Sequence, residues 1–177
     1  DVLFHITSPE KCAKIIERMD NNLWQPLNEA IDSFGELLKK AGEDSPDCRF
    51  FFDQYIRLRG LRCWFTTQYD VAKWIVCVHG YINSGDKQGR KSFAKSLKEM
   101  IDSEIANTQE LIELLNTNVE FMAITDKGET PLVHGDNLPS LLVKRIELME
   151  KHKIDEPFID EGYVMRKAID ENEKLIK

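Results

Sequence analysis

Arg59, Arg62, Thr66, Tyr69 and Lys73 recur every three or four residues, the spacing that gathers side chains on one face of a helix. Two arginines one turn apart can clamp a carboxylate or a phosphate, because each guanidinium offers a planar fork of donors. The commoner outcome for such a pair is an ion pair with acids of a neighbouring helix, here Asp102 or Glu104, while the side-chain stems cover apolar surface.

Two further sets carry potential chemistry. Trp64, Gln68, Trp74, His79 and Tyr81 mix aromatic faces with hydrogen-bonding groups, the ingredients of a sugar platform or a hydrophobic ligand pocket. Such residues are more often the core of a bundle, and His79 is then a hydrogen-bonded imidazole rather than a base. Asp102, Glu104, Asn107 and Glu110 form the third set. Carboxylates about 5–10 Å apart can do acid–base work on a glycosidic bond. Glu104 adjoins the apolar stripe through Ile101, Thr108 and Leu111, so partial burial is expected for it. The other acids read as a solvated face, and an arginine of the preceding helix is the expected partner of Glu104. The ligand-binding candidates are therefore Arg59, Arg62, Trp64, Gln68, His79 and Glu104.

Catalytic signatures are missing. There is no GxGxxG after a strand, no P-loop lysine, no GxSxG elbow and no HExxH. None of His5, His79, His134 or His152 follows a glutamate by three residues, which the di-metal carboxylate bundles require. No metal and no cofactor is expected, and the chain reads as a non-enzyme. A formal charge of −7 argues against a general nucleic-acid binder, whose phosphate contacts need a basic footprint. No apolar run reaches the roughly 18 residues of a membrane span. Cys12, Cys48, Cys63 and Cys77 contain no CxxC pair. They read as reduced, largely buried thiols, which slightly favours the cytoplasm.

Positioning these residues falls to a series of helices. The stretch from 47 to 82 has no proline and carries two adjacent apolar stripes at helical spacing. One runs Leu61, Trp64, Val71, Ile75, Val78 and Ile82; the other runs Phe51, Tyr55, Leu58, Phe65, Tyr69, Ala72 and Val76. Together they span far more than the roughly 100° of a surface helix, which predicts a central helix surrounded by others. Gly60 lies within it and admits a bend. Ser8-Pro9-Glu10 and Ser45-Pro46-Asp47 are helix starts, each with a serine cap and a proline at the first position. Periodicity predicts further helices over 23–41, 92–116 and 138–152, with Gly89 keeping the residues before the second of these irregular. Strand-like alternation flanking Asp126-Lys127-Gly128-Glu129 predicts a small β-hairpin over 119–134.

The runs Leu58–Trp64 and Ile101–Thr108, with Val119–Met122 and Gly128–Thr130, are similar to the helical C-terminal region of large bacterial proteins that carry a glycoside-hydrolase-like barrel. The similarity covers most of residues 50–150 and includes no catalytic motif. It implies a module of a larger carbohydrate-related polypeptide, which suits a chain opening on Asp1. The expected fold is an all-α bundle of about five or six helices around the 47–82 helix, in a single domain over 1–177. The expected function is a non-catalytic interaction or accessory module facing another domain or a protein partner. The alternative is a small-molecule or glycan-processing site with an arginine anion clamp and a carboxylate or histidine.

Overall fold

The computed structural model describes residues 7–42, 45–119 and 138–157. All regular structure among them is helical, so the all-α expectation holds. Five helices follow in order: α1 (Pro9–Asn22), α2 (Trp24–Lys40), α3 (Pro46–Asn83), α4 (Lys87–Leu115) and α5 (Leu138–His152). Beyond Val119, the hairpin expected over 119–134 lies outside the described residues. No described helix is long and apolar enough to cross a membrane.

Local chemistry starts the helices. Ser8 accepts a hydrogen bond from the Lys11 N–H at 3.3 Å, and Ser45 accepts one from the Cys48 N–H at 3.0 Å. Both satisfy amide donors that the first turn leaves without carbonyl partners. Asp86 does the same for the Gly89 N–H at 2.8 Å, and α4 therefore begins at Lys87 rather than near residue 92. A good N-cap of about 1 kcal/mol offsets the similar penalty of glycine in the first turn. Helix α3 is unbroken across Gly60 for its 38 residues, roughly 57 Å at 1.5 Å per residue.

Helices α1, α2 and α4 all pack against α3, and α5 packs on α4. The α3–α4 seam explains the arrangement. Ile56 and Cys63 of α3 meet Leu114 near the end of α4, whereas Val78 meets Leu97 and Met100 near its start. The two helices are therefore antiparallel. Between these apolar ends the seam is polar: Thr67 and Asp70 of α3 face Glu104, Asn107 and Thr108 of α4, of which Asp70, Glu104, Asn107 and Thr108 are buried. A separate cluster of Cys12, Ala72 and Ile75 joins α1 to α3.

This corrects the expected orientation of α3. Its buried side against α4 is Ile56, Gly60, Cys63 and Asp70, spaced by four, three and seven residues, close to the seam period of paired helices. Leu61 and Trp64, assigned to a buried stripe by size, are 44% and 54% exposed, and Ile82 is also exposed. Ile75 and Val78, from the same stripe, are each 2% exposed.

Candidate functional site

Glu110 sits where the arginines converge. Its Oε1 accepts from Arg59 Nε and from Arg62 Nη2, both at 2.8 Å. The Arg59 guanidinium also lies 5.4 Å from the centre of the Tyr55 ring. An acid of α4 thus occupies the arginine pair, as the ion-pair reading expects, but the residue differs from both candidates named. Asp102 pairs with Lys153, and Glu104 pairs with Arg145 of α5. The remaining members of the polar stripe turn elsewhere: Tyr69 meets the Trp24 edge at 5.4 Å, and the Lys73 ammonium stands 4.7 Å over the Tyr69 ring. A stripe that looks continuous in sequence is divided among neighbours that cover α3 at different heights.

Glu104 is 4% exposed and belongs to a buried network. Its Oε1 accepts from Thr67 Oγ1 at 2.7 Å and from Arg145 Nη2 at 2.5 Å, and its Oε2 accepts from Asn107 Nδ2 at 3.2 Å. Asn107 Nδ2 also reaches Thr67 Oγ1 and the Cys63 carbonyl, each at 3.1 Å. Asp70, 2% exposed, stands beside Glu104. Burial pushes its carboxyl up to about 6, and the neighbouring Glu104 charge adds to the effect, while the Ser103 hydroxyl and Lys73 oppose it. Asp70 Oδ2 is buried and has no hydrogen-bond partner among the described residues.

The network borders a cavity of about 390 Å³ between α3, α4 and α5. Thr67, Asp70, Glu104 and Arg145 supply its polar wall; Val71, Trp74, Met100, Ile101, Leu148 and Met149 supply the apolar one, with His152 at the side. The volume falls within the roughly 300–1,000 Å³ of small-molecule sites. No group of three or more histidine, cysteine or acidic side chains among the described residues could hold a metal ion.

Of the sequence candidates, Glu104 lines this cavity, and Arg59 and Arg62 lie together on Glu110. Trp64 and Gln68 are exposed. His79 is partly buried on α3 near Glu10 at the start of α1. Sequence reasoning missed Asp70, Thr67 and Arg145. The signal for Asp70 was present: a carboxylate in register with Ile56 and Cys63 along α3. Arg145 gives no comparable sign, because its pairing with Glu104 depends on where α5 docks.

The chain matches no family model, and neither a curated protein nor a solved structure matches it. No family is assigned.

The buried Cys63 adds no reactive centre beside the network. Cys12, Cys48, Cys63 and Cys77 are free, with Cys12 and Cys63 buried. Burial pushes the Cys63 thiol up to about 12, with a further contribution from the Glu110 charge. It stays protonated at neutral pH and is a poor nucleophile.

Proposed function

We propose that this chain is a non-catalytic helical interaction module whose α3 presents an apolar face to an amphipathic helix of another domain or protein. The observation that carries the reading is the exposure of Phe50, Leu61 and Trp64, at 56%, 44% and 54%, along one side of α3. Trp64 follows Leu61 by three residues and Phe50 by fourteen, and the stretch from 50 to 68 is roughly 27 Å long. Gln68 and Arg57 continue the same side, and the Asp53 carboxylate beside them is held by Arg57 at 2.7 Å. In an acidic chain this leaves a largely neutral surface, suited to the apolar stripe of a partner helix. Large aromatic side chains in such positions are the usual anchors of protein interfaces. Occupation of Arg59 and Arg62 by Glu110 weighs against the alternative of an arginine anion clamp. A larger carbohydrate-related polypeptide as the source of the partner domain rests on the sequence resemblance alone.

Stability and crosslinking test this together. Trp64→Lys should change the unfolding free energy of the free chain by less than about 1 kcal/mol, whereas Ile75→Ala should cost about 2–5 kcal/mol. A photo-crosslinker at position 64 should form one adduct in the native setting, and Leu61→Lys should abolish it. Unfolding of the Trp64→Lys chain would place this face in the core instead. An adduct that is insensitive to Leu61→Lys would equally remove the interface.

A further inference from the structure

We propose that the cavity between α3, α4 and α5 binds a small organic amine, whose ammonium group meets the Asp70–Glu104 carboxyl pair and whose carbon body lies among Val71, Trp74 and Leu148. This concerns the open cleft beneath α5 and is independent of the outward face of α3.

Asp70 carries an unmet demand. Asp70 lines the cavity and is 2% exposed, yet its Oδ2 has no hydrogen-bond partner among the described residues. Native interiors seldom leave a buried acceptor in that state, because it has lost water without a replacement. Glu104 shows the contrast: Thr67, Asn107 and Arg145 all donate to it. An ammonium brings three donors, enough to serve Asp70.

Charge points the same way. Two carboxyl groups share the polar wall with one guanidinium, that of Arg145, which is already engaged by Glu104 Oε1 at 2.5 Å. Lys73 acts on Asp70 from the same helix, but its ammonium lies over the Tyr69 ring. His152 of α5 lines the cavity too, and its Nδ1 stands 2.6 Å from Asp155 Oδ2. The surplus at the wall is one negative charge. Burial raises the Asp70 carboxyl only to about 6, so at neutral pH this charge largely persists and a bound cation would answer it.

The remaining walls select an organic cation over a metal ion. No third carboxylate, histidine or cysteine joins the pair at ligand spacing among the described residues. The other lining groups are largely apolar, Trp74 and Leu148 among them, and suit a carbon body rather than a hydrated metal ion. A cavity of about 390 Å³ accommodates an aryl- or alkylamine of modest size.

Calorimetry and thermal melting with phenethylamine and its neutral counterpart 2-phenylethanol test the assignment. The amine should bind saturably, at least about tenfold more tightly than the alcohol, and should raise the melting temperature. Asp70→Asn should remove that preference while leaving alcohol binding unchanged. Leu148→Trp, which fills the cavity without altering its charge, should abolish binding of both compounds. Equal affinity for amine and alcohol would overturn the proposal, as would wild-type amine affinity in Asp70→Asn. Amine binding that survives Leu148→Trp would place the cation on the acidic surface instead, and absence of saturable amine binding would also end the case.

Discussion

Asn107 on α4 donates its side-chain N–H to the backbone carbonyl of Cys63 on α3 at 3.1 Å, so a side chain of one helix grips the main chain of its antiparallel neighbour. The same amide nitrogen serves Thr67 Oγ1 and Glu104 Oε2. A buried polar residue in a helical seam contributes to register, because sliding one helix past the other strands it without partners. The apolar ends of the seam, Ile56 with Leu114 and Val78 with Leu97, favour contact but tolerate several alignments.

Asn107→Ala should therefore destabilise the chain by about 1–3 kcal/mol. Asn107→Leu should lose a similar amount although it restores volume, since Glu104 still loses a donor. Urea unfolding measures both. A loss confined to the alanine variant would show that packing, not hydrogen bonding, is what Asn107 supplies.

Glu110 pairs with two guanidinium groups, so the cost of its removal should exceed that of removing either partner. With the three side chains between 23% and 32% exposed, solvent screening reduces the expected cost of Glu110→Ala to about 1–2 kcal/mol. Arg62→Ala should cost less, because Arg59 remains on Glu110. Sulfate should raise the melting temperature of the Glu110→Ala chain and leave wild type unchanged apart from general salt effects. A specific sulfate response in wild type would restore the arginine clamp.

Asp70 gives a pH dependence whose sign follows from its raised value. The folded chain holds this proton near pH 6, against an ordinary value of 3.8. It therefore binds the proton more tightly than the unfolded chain does, and this group's contribution to stability falls as pH rises from about 4 to about 6. The displacement corresponds to a penalty on the order of 2–3 kcal/mol above that window. Asp70→Asn removes the penalty, so its stability relative to wild type should grow across the window and then level off. A difference that stays flat from acid to neutral pH would contradict the burial of an ionisable Asp70.

Gly80 supplies a steric prediction. A Cβ placed there meets the Phe93 ring of α4 well inside van der Waals contact. Gly80→Ala should thus destabilise by about 1–3 kcal/mol through overpacking, despite the roughly 1 kcal/mol that alanine gains in helix propensity. Phe93→Leu in the same chain should recover part of the loss. Thermal unfolding of the single and double variants would reveal additive behaviour if the two sites were independent.

The sequence by itself determined the helices, because caps and periodicity are local. Ser8-Pro9 and Ser45-Pro46 announce their starts, and the apolar period from Trp24 through Leu38 leaves little alternative to α2. It also foretold that Glu104 would be partly buried, that Arg59 and Arg62 would meet acids, and that the cysteines would be unpaired. Tertiary structure alone decided which face of α3 meets α4. Size pointed to Leu61 and Trp64, but the buried positions are Gly60 and Cys63, whose small side chains carry no strong hydrophobic signal. Partner choice had the same origin. Glu110 rather than Asp102 takes the arginines, and Arg145 reaches Glu104, because antiparallel register and the docking of α5 set those distances. Asp70 shows the limit most clearly: its register with Ile56 and Cys63 marks its face of α3, but only burial beside Glu104 gives it a raised value and an unmet oxygen.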